Sequence, residues 1–108
     1  MNGSFEIREY TEAGRSPFAE WFNGLDAVTA ARVDRYVRRL EAGNFSAAKS
    51  LRDGVFELRL DFGPGYRVYY GRDGRTLIIL LGGGSKRRQD ADIAAAKERW
   101  NRYKETRA

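Results

Sequence analysis

Between Phe56 and Tyr70 the chain alternates apolar and polar side chains around a Gly63-Pro64-Gly65 break, and the polar set suits chemistry on phosphate. Phe56, Leu58, Leu60 and Phe62 alternate with Glu57, Arg59 and Asp61; Tyr66, Val68 and Tyr70 alternate with Arg67 and Tyr69. Successive strand side chains point to opposite faces, so each segment has one greasy face and one charged face. If Gly63-Pro64-Gly65 is the whole loop, Phe62 faces Tyr66, Asp61 faces Arg67 and Arg59 faces Tyr69. Glu57, Arg59, Asp61, Arg67 and Tyr69 then share one surface, a register that a one-residue slip would destroy. Gly82-Gly83-Gly84 follows the next apolar run, precedes the basic cluster Lys86-Arg87-Arg88, and would bring Lys86 and Arg87 to the edge of that surface. Arginine and lysine clamp phosphates, and a tyrosine ring offers a base a stacking platform of about 1–3 kcal/mol. The same pattern also fits an ordinary half-exposed hairpin, with Asp61 pairing Arg67 and the Lys86–Arg88 cluster solvated in a loop.

Composition narrows the chemistry. The chain has no cysteine and no histidine, which removes disulfides, thiolate nucleophiles, the commonest acid/base catalyst and the commonest metal ligand. Its carboxylates are dispersed rather than set at ligand spacing, so no metal and no cofactor is expected. Of 20 basic residues against 15 acidic, 16 are arginine, and the net charge is +5. Arginine's planar fork matches phosphate, so this bias leans toward nucleic acid; codon usage and solvated helix faces would produce it too. The glycine triplet is not a phosphate loop, because no GxxxxGK[ST] pattern surrounds it.

The elements that must hold these residues are legible by period. With 108 residues, one domain over 1–108 is expected, with 1–4 a flexible lead that is too short and polar for a secretory signal. Phe5 to Tyr10 alternates as a strand. Ser16-Pro17 is a helix start, with Phe18, Trp21, Phe22 and Leu25 following at helical spacing. A second helix from Ala27 to Ala42 has Val33, Tyr36, Val37 and Leu40 as its stripe, arginines on its flanks, and Gly43-Asn44 as its stop. Asp73-Gly74 marks a tight hairpin, and Thr76–Leu81 reads as a central strand that the glycine run ends. A last helix begins near Asp90 as N-cap, with Ile93, Ala96, Trp100 and Tyr103 as its apolar stripe. The expected fold is α+β: an N-terminal strand, a helical hairpin, a three-stranded antiparallel meander and a C-terminal helix, the helices packed on one side of the sheet. The longest apolar run, Leu77–Leu81, is too short to span a bilayer, so no membrane partner and a cytoplasmic location are expected.

From Gly54 through the Gly-Pro-Gly turn to Tyr70, the chain resembles the hairpin of RelE/ParE-superfamily toxins, closest to the HigB-like addiction module killer subgroup. Leu80-Leu81-Gly82-Gly83-Gly84-Ser85-Lys86 and the helix from Asp92-Ile93 to Trp100 continue the likeness over nearly the whole chain. The resemblance implies a toxin of a toxin–antitoxin pair with a compact RelE-like fold, commonly a ribosome-dependent mRNA endonuclease that works without metal. In that chemistry the ribose 2′-hydroxyl attacks the adjacent phosphate and leaves a cyclic phosphate, which needs cations on the phosphorane, a base and an acid.

Carried over by position, the arginine of the family's Tyr-Arg motif falls on Arg67. The second basic residue of the preceding strand falls on Arg59, and the arginine after the Gly-Lys corner on Arg87, with Lys86 before it. Two positions depart: the first basic residue of the strand is Glu57, and the tyrosine of the last helix is Ile93. Arginine is too weak an acid to release its proton readily. Arg59, Arg67 and Arg87 are therefore expected as clamps, with Arg88 and Tyr69 as further RNA contacts, Glu57 as base, and Lys86 or Tyr69 as acid. The implied partners are mRNA, the ribosome and a helix-turn-helix antitoxin. The departures also suit a ParE-like toxin that poisons DNA gyrase by protein contact, or a basic protein that only binds its antitoxin or nucleic acid.

Overall fold

The computed structural model describes residues 4–107. In chain order the elements are β1 (Glu6–Glu9), α1 (Pro17–Asn23), α2 (Ala27–Glu41), β2 (Ala48–Ser50), β3 (Val55–Arg59), β4 (Arg67–Asp73), β5 (Leu77–Gly84), a single 3-10 turn (Lys86–Arg88) and α3 (Gln89–Thr106). This is the expected α+β, RelE-like order, with one short strand added. Of the expected flexible lead over 1–4, residues 1–3 lie outside the described residues.

Local chemistry sets the helix ends. Ser16 Oγ accepts from the Ala19 N–H at 3.0 Å, with Pro17 at the first helical position, where its missing N–H costs nothing. Asp26 caps α2 by accepting from the Thr29 N–H at 3.1 Å. Gly43, at φ +87°, closes α2: its N–H reaches the Leu40 carbonyl at 2.9 Å and the Asn44 N–H reaches that of Arg39 at 2.8 Å, the paired bonds of a Schellman end. Asp90, expected as the cap of α3, lies instead inside its first turn. The helix runs straight out of the 3-10 turn with no side-chain cap, and Asp90 and Asp92 meet the positive end of its dipole.

The sheet order is β1-β5-β4-β3-β2. The expected meander β3-β4-β5 is antiparallel throughout, and it gains a strand on each edge: β1 parallel to β5, and β2 antiparallel to β3. Helices do not share one side, as expected from sequence, but cover both. Phe18 of α1 and Val33, Val37 and Leu40 of α2 pack on Leu58, Val68, Tyr70, Ile78 and Leu80. Ala96 and Trp100 of α3 pack on Val55, Tyr69, Ile79 and Leu81 across the sheet. The strands are therefore buried on alternate residues from both directions, which is why Ile78–Leu81 is continuously apolar.

The glycine run corrects a second expectation. Gly82, Gly83 and Gly84 do not end the strand; they are its last three residues, paired with Tyr69, Val68 and Arg67. Leu81 is left over between the Tyr70–Leu80 and Tyr69–Gly82 pairs, a bulge that exchanges the faces beyond it. Gly83 now lies under the Trp21 ring of α1, and Gly84 under Asp92 of α3, each so close that a Cβ has no room. Gly71 is the same device on β4, where the Trp100 ring lies flat against the backbone.

Gly71→Ala pushes a methyl into that ring at an otherwise ordinary strand position. It should destabilise the fold by about 1–3 kcal/mol, read as a lower urea midpoint; an unchanged midpoint would show that Trp100 does not bear on the strand.

Candidate functional site

The β3–β4 register places the site. Glu57 pairs with Tyr69 and Arg59 with Arg67, two residues away from the pairing drawn by taking Gly63-Pro64-Gly65 as the whole loop. The turn is longer: the Leu60 N–H reaches the Tyr66 carbonyl at 3.0 Å, so residues 61–65 form it, with Gly63 and Gly65 at positive φ of 62° and 75°. Because side chains repeat every two residues, a slip of two keeps the face. Glu57, Arg59, Arg67 and Tyr69 remain on one side of the sheet. Asp61 leaves it for the loop, where it is exposed and makes no ion pair among the described residues.

Arg59 and Arg67 thus stand directly across from each other, an arrangement that like charges resist. Glu57 resolves it. Its carboxylate is 1% exposed, and each oxygen is engaged: Oε2 accepts from Arg59 Nε at 3.0 Å, while Oε1 accepts from Gln89 Nε2 at 3.0 Å and lies 3.4 Å from Arg67 Nε. Arg67 is itself 7% exposed and also donates through Nη1 to the Gly65 carbonyl at 2.6 Å. Arg59 remains 55% exposed along its side chain, so its guanidinium is anchored at one edge and open to solvent at the other.

Tyr69 departs from its expected role. Its side chain is 1% exposed and lies in the cluster under α3, against Ile93, Ala96 and Trp100. No base can stack on it. Its hydroxyl is buried without a hydrogen-bond partner, and its pKa is driven above the ordinary phenol value, first by burial and then by the nearby Glu57 and Asp92 carboxylates. Sealed in the cluster under α3, it cannot reach a substrate to exchange a proton. Ile93 packs against the same cluster, so the position onto which the RelE resemblance would carry a tyrosine is here part of the apolar floor. Burial also raises the Asp92 carboxyl above its usual range.

Where α3 begins, the sheet face opens into a groove of about 680 Å³ lined by Lys49, Arg59, Arg67, Lys86, Gln89 and Asp61, among others. Four cations and the Asp61 carboxylate thus line it, with Glu57 buried behind Arg59 and Arg67. Lys86 is held there by its backbone N–H, which reaches the Pro64 carbonyl at 3.2 Å and ties the 3-10 turn to the β3–β4 loop. Arg87 and Arg88 follow on the same turn, exposed and without an ion pair among the described residues, and border a neighbouring shallow cleft with Lys86. The arrangement can grip an anionic strand and stabilise charge on a phosphorane. Sequence reasoning missed Lys49 and Gln89. Lys49 sits in a three-residue strand with no periodic signal; Gln89 acquires its role only because α3 starts over Glu57.

A meander whose open end carries clustered arginines beneath a C-terminal helix defines a protein of RelE-like type. Residues 20–104 match the family described as Phage derived protein Gp49-like (DUF891), and the chain belongs to that family, a RelE-like group of toxins from toxin–antitoxin pairs. It is also 47% identical over 81 residues to an uncharacterized protein of Haemophilus influenzae, spanning 74% of this chain and 82% of that one. Every residue of the groove lies within the family match.

Two outcomes follow from this geometry. Glu57→Gln leaves Arg67 buried without its counter-charge and should cost about 3 kcal/mol, seen in denaturant unfolding; a wild-type midpoint would remove Glu57 from the fold's supports. Burial raises Tyr70, pushed up to about 12, as well as Tyr69. Both phenols are harder to ionise folded than unfolded, so their contribution holds below about pH 10 and is lost as pH rises through the folded values. Absorbance titration should show them ionising only as the fold opens above pH 10; ordinary, reversible titration of all six tyrosines in the folded state would contradict this.

Proposed function

We propose that the chain is the toxin of a type II toxin–antitoxin pair, of the HigB-like subgroup, and a metal-independent, ribosome-dependent mRNA endoribonuclease. The observation that carries this reading is the opposed Arg59–Arg67 pair, held by one buried carboxylate at the floor of a groove that Lys49 and Lys86 also line. Fixed cations in a partly dry site are what an in-line attack on phosphate requires, since they stabilise developing charge without reorganising.

In this reading the 2′-hydroxyl oxygen bonds to the adjacent phosphorus, its proton leaving to water in the open groove. The bond from phosphorus to the 5′-oxygen breaks, giving a cyclic phosphate and a free 5′-hydroxyl. Arg59 and Arg67 hold the non-bridging oxygens, Arg87 and Arg88 steer the strand, and the exposed Lys86 ammonium gives the leaving oxygen its proton. Glu57, expected as the base, is assigned instead to positioning, because both of its oxygens are engaged and water does not reach it. Membership of a toxin family supports a cognate antitoxin, here of helix-turn-helix type, and action on ribosomes places the protein in the cytoplasm.

Single-turnover cleavage of mRNA bound to purified ribosomes tests the assignment. Arg67→Gln and Lys86→Gln should each lower the rate about 10²–10³-fold, the loss typical of one electrostatic donor. Intact mRNA with the wild-type protein would overturn the reading. The departures at Glu57 and Ile93 favour a second one, ParE-like poisoning of DNA gyrase by protein contact, which would then show as gyrase-dependent DNA breaks on induction.

A further inference from the structure

Cations also gather away from the groove. α2 carries four arginines, and the structure divides them. On one flank Arg38 lies 2.9 Å from Glu41 and 3.5 Å from Asp34, the mixed-sign pattern of a solvated helix surface. Arg32, Arg35 and Arg39 are different. They are all exposed, and among the described residues none has a carboxylate within ion-pair distance. At roughly 100° per residue they fall within an arc of about 60°, pointing away from the stripe of Val33, Val37 and Leu40 that packs on the sheet.

Two of the three are set in place by aromatic rings. The Arg32 guanidinium lies 4.7 Å from the Phe62 ring centre and that of Arg39 4.5 Å from the Tyr36 ring centre. An aromatic face attracts a cation while leaving the in-plane N–H edges of the fork free, the edges that bind phosphate bidentately. With Arg35, these side chains line a cleft of about 210 Å³ between α2 and the β3–β4 loop. The loop is docked on the helix: the Asp61 N–H reaches Tyr36 Oη at 3.4 Å, and Phe62 packs on Tyr36 with ring centres 6.4 Å apart. Asp61 is the one acidic residue in the cleft, and it also lines the groove on the other side of the loop. The two cationic surfaces therefore meet at a common wall.

We propose that Arg32, Arg35 and Arg39 form a second phosphate-binding face, which takes the backbone of an RNA strand extending beyond the groove and over the β3–β4 loop. The face suits RNA rather than a protein partner: its Phe62 and Tyr36 rings are half-buried and carry the Arg32 and Arg39 guanidiniums, and Val28, the large apolar side chain left exposed on the same side of the helix at 71%, is no apolar docking patch by itself. The inference rests on the reading that the groove handles RNA, and it lengthens the footprint of that same site.

The test is binding of labelled single-stranded RNA by the full chain across a range of salt, using fragments of about 4 and about 16 nucleotides. The variant Arg32→Gln/Arg35→Gln/Arg39→Gln should bind the long RNA at least tenfold more weakly at low salt. Its slope of log affinity against log salt should be shallower by about 2, at roughly 0.7 per lost phosphate contact on a single strand; the short RNA should be little affected. Arg38→Gln, on the same helix but ion-paired, should behave as wild type. Should the triple variant fold poorly, Arg35→Gln alone is expected to lower the slope by about 0.7. Unchanged affinity and slope for the long RNA overturns the proposal, as does an equal loss in Arg38→Gln, which would make net charge the cause. Loss of antitoxin binding with RNA binding intact overturns it too, and hands the face to a protein. Binding is scored without cleavage: a chain that grips long RNA through α2 but leaves ribosome-bound mRNA whole sinks only the nuclease reading, and one that cuts with α2 irrelevant sinks only this one.

Discussion

Glu57 lies in the β3 row that faces α3, buried to 1% exposure and surrounded by two guanidiniums and an amide. Taking a carboxylate out of water costs several kcal/mol, and only good geometry with every lone pair occupied offsets that. The offset is assembled from three separate parts of the chain. Arg59 comes from the same strand, Arg67 from across the hairpin, and Gln89 from the first turn of α3. One anion therefore sets the relative position of β3, β4 and the last helix. It also permits what the register would otherwise oppose, two arginines directly opposite one another on adjacent strands. Because Arg67 is anchored again by the Gly65 carbonyl, its charge is fixed in direction before any ligand arrives, the condition under which a cation stabilises a transition state most effectively.

The site sits where cover from α3 runs out. Trp100 and Ala96 close the sheet face over Gly71, Tyr69 and Leu81, and the helix begins at Gln89, over Glu57. Beyond that point the same strand rows continue into solvent as Arg59, the rim of Arg67, and the Lys86 corner. The glycine run makes this boundary possible. Its backbone lets Trp21 seat against one face and Asp92 against the other, so both layers of helix reach the end of β5 before the chain turns at Ser85. The bond from Lys86 to Pro64 then ties that turn, and with it one rim of the groove, to the β3–β4 loop at the other.

How much of this was readable depended on what period-two patterning can encode. The alternation from Phe56 to Tyr70 identified which residues share a face, and a register error of two positions left that grouping intact for Glu57, Arg59, Arg67 and Tyr69. It also removed Asp61, whose expected pairing with Arg67 required a tighter turn than the chain makes. Alternation does not say what covers a face. Glu57 and Tyr69 look like water-side residues in the sequence, yet they lie beneath α3, since nothing in the spacing of Ile93, Ala96 and Trp100 tells on which side of the sheet that helix docks. The triplet Gly82–Gly84 carries the signature of a break, and only the close approach of Trp21 and Asp92 shows that it serves packing inside a strand. The edge strand Ala48–Ser50, with three residues, had no signal; β1 was legible from its alternation, but its parallel pairing with β5 is a long-range choice. Ser16-Pro17 and Gly43-Asn44, whose physics is local, were legible where they stood.

Glu57 and Ile93, where the sequence differs from the RelE pattern it resembles, are linked by the same geometry. A basic residue at position 57 would add a third cation to the Arg59–Arg67 pair with no buried anion to hold it; glutamate there sets one anion between the two guanidiniums. The cost falls on proton transfer. The carboxylate that organises the arginines is withdrawn from water, Tyr69 is buried beside it, and Ile93 offers no hydroxyl. What remains exposed is charge: Arg59, Lys86, Arg87 and Arg88 around the groove, and Arg32, Arg35 and Arg39 beyond the loop. On the proposed reading, a site so constituted would hold phosphate rather than shuttle protons. On the reading advanced above, catalysis then depends on how well the strand is bent into line for attack, because alignment of the 2′-oxygen with the scissile bond is the contribution that fixed cations alone do not make. A requirement for the ribosome would follow from that reading, since a strand presented by a larger rigid surface arrives with that alignment already imposed.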